Sequence, residues 1–304
     1  MNLDLNRLLY DFDLNGFFVV EDVLGEALRS QLTSAWEERA PDVPAFDICF
    51  GWGAPWTNLL SEGLFRLDPV LTRILGKCYK LDHAFCVTEG FYSSPDKLHY
   101  QSHMVDSGII YTVKKHRPYT TLLTVGFALL PVEPMKGGFC CVPGSHKAEF
   151  ECPPEFYQTM KNPHVRQIPQ KSGSCVAFTE ALTHGTYPEG HDVPRRGILI
   201  RLTPAGVQFR RPPGQRPNLN LPTIFKKIAP TPIEIDSLDE YSKSILTRPA
   251  SMQNSRWRTN LTGAIPLAAA RRSPQFRHPP IPVCSDRDRA EWEQYHLHTN
   301  RTRD

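Results

Sequence analysis

A run of short strand-like segments between Leu81 and Leu202 constrains this fold more than any other feature. The segments are "HAFCVTEGFYS", "GIIYTVKKH", "YTTLLTVGFALLPV", "GGFCCVPGSHK", "SCVAFTEALTH" and "RRGILIRLTP". They are rich in β-branched and aromatic residues and are separated by Gly, Pro, Ser and Asp. No helical pattern long enough for a βαβ crossover lies between them. The pattern therefore predicts an antiparallel sandwich or barrel rather than a doubly wound parallel sheet.

Helical patterns flank this region. The segment "GEALRSQLTSAWEERA" has apolar residues at helical spacing, and "DPVLTRILGKCYK" predicts a short helix that Asp68 caps and Gly76 ends. Before them, Leu14 to Leu24 has the composition of a strand. We therefore predict a mainly β domain over residues 1–210.

The composition changes after Arg210. "RRPPGQRPNLNLPTIFKKIAPTPIEI" is rich in proline and has only a weak period. Two further segments predict helices, "DSLDEYSKSILTRP", capped by Asp236 or Ser237, and "SDRDRAEWEQYHLH". We interpret residues 211–304 as a Pro- and Arg-rich extension that packs on or over the β core and is not an independent domain.

Charge and cysteine usage exclude several classes of protein. The formal net charge of the 304 residues is +3, with both signs interspersed, which argues against a nucleic-acid-binding protein. The eight cysteines include no CxxC pair and no zinc-ribbon spacing. Neither a signal-peptide pattern nor an apolar run of about 20 residues is present, so we expect a cytoplasmic protein without a membrane segment.

Two histidines and an arginine suggest a metal centre. In such a barrel, two histidines and one carboxylate can bind iron(II) and leave positions open for oxygen and a co-substrate. His184, at the end of a strand-like segment, fits a distal ligand, and His99 in "SPDKLHYQSHMVD" is the upstream candidate. Arg195 fits a clamp for the far carboxylate of a keto acid, because a guanidinium binds carboxylates through two bonds.

The chain resembles the phytanoyl-CoA dioxygenase-like family of Fe(II)/2-oxoglutarate-dependent oxygenases. The resemblance is carried by "GFFVVEDVLGEALRSQL", "LLTVGFALLPVEPMKGGFCCVPGSHKAEF" and "THGTYPEGHDVPRRGILIRLTP". It implies a double-stranded β-helix (a cupin-like jelly roll) with His99 and His184 as iron ligands and Arg195 binding 2-oxoglutarate. The implied cofactors are Fe(II), 2-oxoglutarate and O2, and the implied partner is a small-molecule substrate that is hydroxylated or otherwise oxidised.

One position departs from the family pattern. Where the family has His-x-Asp or His-x-Glu, this chain has His99, Tyr100 and Gln101, so a neutral amide replaces the carboxylate. Three explanations remain open. The carboxylate comes from elsewhere, with Glu180 favoured over Asp106 because strand alternation would place it on the same face as His184. Alternatively, the position is left open, as in related halogenases, or the iron site is lost and the protein is a catalytically silent jelly-roll binding module.

The neighbours of these residues also have predicted roles. If Arg195 and Arg196 begin a strand, they point to opposite faces, and the family register places Arg195 inside the barrel. Substrate contacts are expected from the segment that follows His99, at Tyr100, Ser102 and His103. Gln101 itself is kept as a weak candidate ligand.

Overall fold

The computed structural model describes residues 3–39, 53–87, 97–99, 108–148, 150, 152–188, 196–204, 207, 209 and 238–247. The chain divides after Gln253 into two compact units, and all of the described residues belong to the first unit. The predicted division at residue 210 stays a prediction. Of the helices in the described residues, none combines the length and apolar character needed to cross a bilayer.

Two antiparallel sheets form the core of the described unit. The strands are β1 Phe17–Val20, β2 Tyr79–Val87, β3 Tyr111–Lys114, β4 Arg117–Thr120, β5 Leu123–Ala128, β6 Phe139–Cys141, β7 Arg166–Gln167, β8 Cys175–Thr179, β9 His184–Thr186 and β10 Gly197–Pro204. The larger sheet has the order β1-β8-β5-β10-β2 and the smaller has the order β7-β6-β9, while β3 and β4 form a separate hairpin. His99 extends the smaller sheet through a bridge to His184. This arrangement is the predicted double-stranded β-helix.

The helices lie at the beginning and end of the described unit. They are α1 Leu5–Asn15, α2 Glu26–Arg39, α3 Trp56–Asn58, α4 Phe65–Leu75 and α5 Glu240–Thr247, with a π-helical segment, Leu59–Leu64, between α3 and α4. Their apolar side chains form one continuous core with the outward face of the larger sheet.

The predicted strand from Leu14 to Leu24 was too long. Helix α1 runs through Asn15, and the strand begins only at Phe17. The Asp4 side chain caps the start of α1, and Gly16 ends it with a φ of 84°, a conformation that glycine adopts without steric cost. Leu14 and Asn15, the last two residues of α1, had therefore been assigned to the strand that follows.

Helix α4 begins before Asp68, the predicted cap. The preceding residues Leu59, Leu60 and Leu64 are fully buried, so burial extends the helical segment further back than the local pattern indicates. Asp68 instead accepts a hydrogen bond from the Tyr79 hydroxyl at 2.8 Å. Helix α2 matches its predicted segment closely.

Strand β10 presents two different faces. Ile198, Ile200 and Leu202 are fully buried in the core that the helices share with the larger sheet. Because side chains alternate along a strand, Leu199 and Arg201 point to the opposite face, between the two sheets. This alternation places a charged side chain in the interior of the double-stranded β-helix.

Helix α5 fixes part of the C-terminal segment onto the core. Its cap is Asp239, whose Oδ1 accepts the Ser242 backbone N–H at 3.0 Å, whereas the predicted caps Asp236 and Ser237 lie outside the described residues. The Tyr241 ring contacts Phe65 with 5.0 Å between centroids, and Ile245 is fully buried in the main core. This helix joins the core, whereas the rest of the extension stays a prediction.

Replacing Ile245 by alanine is expected to lower the free energy of unfolding by about 3 kcal/mol, because the change leaves a cavity where α5 meets the core. Urea unfolding followed by circular dichroism measures this change. Glu240→Ala is the matched control on the same helix, since that side chain is 93% exposed, and a change within about 0.5 kcal/mol is expected. Equal stabilities for the two variants would contradict the packing of α5 on the core.

Candidate metal centre between two histidines

The backbone brings the two predicted histidine ligands together. The His99 N–H donates to the His184 carbonyl at 2.8 Å, and the His184 N–H donates to the His99 carbonyl at 2.9 Å. The imidazole centroids are 4.2 Å apart with the rings at 65°. Gly185 permits this approach, because a Cβ at that position would lie 3.0 Å from the Lys97 carbonyl oxygen. Residues far apart in sequence thus meet at one point of the smaller sheet.

The orientation of the His184 ring is fixed by its own turn. Its Nδ1 lies 2.6 Å from the Leu182 carbonyl oxygen, and since a carbonyl only accepts, Nδ1 carries the proton. Nε2 then has a free lone pair. The aromatic ring of Phe178, 4.8 Å from the imidazole centroid, packs beside it. A histidine held in this way by a backbone carbonyl is typical of a metal ligand.

Both imidazoles are neutral at physiological pH. Repulsion between His99 and His184 when both are protonated, with a further effect of desolvation, lowers the pKa of His99 to about 3, although His99 remains exposed to solvent on one side. Burial also lowers the pKa of His184, against the opposing effect of Glu180. Metal ions bind the neutral form of imidazole, so these shifts favour coordination over protonation.

Glu180 lies beside the histidine pair and is almost completely buried. Its Oε2 is 3.8 Å from His184 Nε2. Strand alternation, the reason for which this residue was favoured, does not explain the contact. Strand β8 ends at Thr179 and β9 begins at His184, so a tight turn brings the two side chains together.

The Glu180 carboxylate is held by Arg201 and Thr124. Nη2 of Arg201 donates to Oε2 at 3.1 Å, and Nε lies 3.0 Å from Oε1, an ion-pair contact whose angle is poor for a hydrogen bond. The Thr124 hydroxyl also donates to Oε1. Burial opposes ionisation of Glu180, but the Arg201 guanidinium and the other donors hold its pKa below the usual range. The carboxylate is therefore ionised.

Arg201 was not identified from the sequence, although it lies at the centre of the interior charges. Its Nη1 is 3.3 Å from Nε2 of His83, whose Nδ1 is 2.7 Å from Asp82 Oδ2. The guanidinium also lies over the Phe85 ring, 5.2 Å from its centroid. The sequence did contain a signal: Arg201 is the only charged residue in the apolar strand segment "GILIRL".

The other predicted site residues do not all fall in the described part of the chain. Arg195, Tyr100, Gln101, Ser102 and His103 lie outside the described residues, as does Asp106, and their predicted roles stay predictions. Arg196 is described and forms an ion pair with Glu37 of α2. Within the described ranges, no three His, Cys, Asp or Glu side chains form a ready ligand set for a metal ion.

Comparison with known proteins supports the resemblance stated above. Residues 82–197 match the family model of phytanoyl-CoA dioxygenase (PhyH), which confirms the resemblance over that region. No curated protein sequence matches the chain significantly.

Solved structures of HygX from Streptomyces hygroscopicus share the fold. The form with nickel and 2-oxoglutarate is 22% identical with a TM-score of 0.55, and the alignment covers 67% of this chain and 89% of HygX. The iron-bound form is 21% identical with a TM-score of 0.53, covering 67% of this chain and 88% of HygX. A form with nickel, 2-oxoglutarate and hygromycin B gives 21% identity, a TM-score of 0.53 and coverage of 67% and 89%.

Proposed function

We propose that this protein is a non-haem Fe(II)/2-oxoglutarate-dependent oxygenase that hydroxylates or otherwise oxidises a small organic molecule. The observation that carries the proposal is the pair of neutral imidazoles, with His184 Nε2 left free by the bond from Nδ1 to Leu182. The match to the phytanoyl-CoA dioxygenase family model over residues 82–197 supports the same reaction class.

The residues present suit an iron(II) ion. Nε2 of His184 and Oε2 of Glu180 are both acceptors, and the two atoms face each other at 3.8 Å. The Arg201 guanidinium already balances the Glu180 charge, so the case for iron(II) rests on the free lone pair of His184 Nε2, because imidazole is a suitable ligand for that ion. His99 and His184 would hold the ion. Bound iron, with 2-oxoglutarate and oxygen, supplies the oxidising power for attack on a C–H bond.

The chain's own residues position the reactants and exclude water. Phe139 and Phe178 pack around His184 and keep that side of the imidazole apolar. We assign the far carboxylate of 2-oxoglutarate to Arg195. Its neighbour Arg196 pairs with Glu37 of α2, which leaves Arg195 as the arginine of this sequence pair that we propose for 2-oxoglutarate. Tyr100, Ser102 and His103 are the proposed substrate contacts.

Two observations favour a small organic molecule as the substrate. HygX, which has the same fold, binds 2-oxoglutarate and hygromycin B, a small molecule, in one crystal structure. The formal net charge of the whole chain is only +3, which does not favour nucleic acid as the substrate. We therefore propose a small organic substrate.

Arg195→Met and Arg196→Met form a matched pair that tests the reaction. With iron(II) and oxygen supplied, wild-type protein should convert 2-oxoglutarate to succinate even without its substrate, as a slow uncoupled reaction. Arg195→Met should raise the KM for 2-oxoglutarate by at least about tenfold, since it removes a charge-assisted contact worth about 1.5 to 3 kcal/mol. Arg196→Met should leave that KM within about twofold.

The alternatives predict different results. A halogenase would also convert 2-oxoglutarate to succinate, but its products from a substrate would depend on added chloride. A silent binding module would neither take up iron nor turn over 2-oxoglutarate. Either result, or equal KM values for the two arginine variants, would contradict the corresponding part of the proposal.

A further inference from the structure

Glu180 is a buried carboxylate that the proposed site does not yet use. Its side chain is 1% exposed and approaches the histidine pair through Oε2. Family members take the iron-binding carboxylate from the position that is Gln101 here, and an amide oxygen carries no charge. Without this carboxylate, the side chains that bind a divalent cation would all be neutral. An anionic side chain near the imidazoles would restore the missing charge.

The two oxygens of Glu180 have different partners. Oε1 receives the Thr124 hydroxyl and lies 3.0 Å from Nε of Arg201 in an ion-pair contact. Oε2 receives only Nη2 of Arg201 at 3.1 Å. One lone pair of Oε2 therefore has no described partner, and Oε2 is the oxygen that faces His184 Nε2.

The distance between these atoms suits two ligands of one ion. Metal bonds to imidazole nitrogen and carboxylate oxygen are about 2.1 Å long, so two ligand atoms lie about 3.0 Å apart at right angles and about 4.2 Å apart when opposed. The observed separation of 3.8 Å falls between these limits. Arg201 and Thr124 would then act as the outer partners that orient the carboxylate.

We propose that Glu180, through Oε2, supplies the carboxylate ligand of this metal site in place of the residue at position 101. The inference rests on the proposed function, because it assumes that His99 and His184 hold the ion. It includes a movement of the Glu180 side chain towards the imidazoles, since the described side chains do not form a closed set of three ligands. Arg201 remains bound to the carboxylate as it moves.

Cobalt(II) titration of the purified full-length protein tests the inference without measuring turnover. Calorimetry gives the affinity, and the visible absorption of cobalt reports on the ligand set. Glu180→Gln is expected to weaken binding by at least about 100-fold, because changes to groups outside the ligand set alone cost about 10- to 100-fold. The cobalt spectrum should also shift. Glu37→Gln, at an exposed ion pair, is the matched control and should leave both readouts unchanged.

A second variant covers the possibility that Glu180→Gln does not fold, since it leaves Arg201 without its anion. The double variant Glu180→Gln/Arg201→Gln removes both charges and keeps two amides in hydrogen-bonding reach. It should lose cobalt affinity to the same extent.

Three other results would overturn either this inference or the proposed function. Wild-type affinity in the double variant, combined with lost binding in His184→Ala, would overturn the inference alone. Weaker binding with an unchanged cobalt spectrum would place Glu180 outside the ligand set and overturn it as well. Wild-type protein that binds no metal would instead overturn the proposed function.

Discussion

Replacing His184 by alanine is expected to reduce the affinity for iron(II) or cobalt(II) by more than about 100-fold, because changes outside the ligand set alone cost about 10- to 100-fold. The change removes Nε2, the metal-binding nitrogen whose orientation the bond from Nδ1 to the Leu182 carbonyl fixes. His99→Ala should have a similar effect, because the backbone holds the two rings together. Anaerobic calorimetric titration measures both affinities.

A histidine elsewhere provides the control for this prediction. His164 is exposed and contacts Phe156 with 6.1 Å between ring centroids. His164→Ala should bind metal as the wild type does. Because His184 is buried, urea unfolding of each variant must first establish that it is folded. A folded His184→Ala protein with wild-type affinity would exclude the histidine pair as the metal centre.

Replacing Arg201 by methionine is expected to lower the free energy of unfolding by about 3 kcal/mol at neutral pH. The change leaves the buried Glu180 charge without its guanidinium, and an unpaired buried charge is strongly destabilising. Phe85 and the aliphatic part of the new side chain retain some packing, so the loss is mainly electrostatic. Urea unfolding at several pH values measures it.

The pH dependence of this loss has a defined sign. In the wild type the pKa of Glu180 is lowered. The ionised Glu180 therefore contributes to the free energy of unfolding above its unfolded-state pKa, and this contribution is lost as the pH falls through the folded-state pKa. Without Arg201 the carboxyl group can be buried only when protonated. The difference between variant and wild type should therefore shrink as the solution becomes acidic.

Arg196 provides the comparison for this second prediction. Its partner Glu37 has a side chain that is 57% exposed, so solvent screens the pair, and Arg196→Met should cost less than about 1 kcal/mol. If the two arginine variants are equally stable at neutral pH, Arg201 does not stabilise a buried Glu180 carboxylate, and the prediction is wrong.

The sequence alone predicted the sheet architecture and the histidine pair. Alternating apolar segments without crossover helices leave few folds other than an antiparallel double sheet, and β10 shows that alternation directly. His99 and His184 were predicted as partners from their places in the family motifs. Both are described, and their backbones form a bridge. The apolar pattern and the family motifs were sufficient to predict the sheets and the histidine pair, because both depend on the alternation of side chains along each strand and on the order of the strands.

The helix boundaries show where local patterns fail. Leu14 was assigned to a strand although it lies in the last turn of a helix, because a single apolar residue shortly before "FFVV" fits either period over so short a window. Asp68 had the properties of a cap, but it binds the Tyr79 hydroxyl instead. At Leu14 the Gly16 cap sets the boundary, whereas before Asp68 the burial of the preceding leucines extends the helical segment.

Arg201 shows what only the tertiary structure decided. In the sequence it is one arginine in an apolar strand, and nothing nearby identifies its partners. The fold places it opposite His83 on β2 and next to Glu180 after β8, so charges distant in sequence share one interior. Strand period and family motif determined which face each residue occupies. Which charges meet on that face depended on sheet order and register, which bring together strands that the chain keeps far apart.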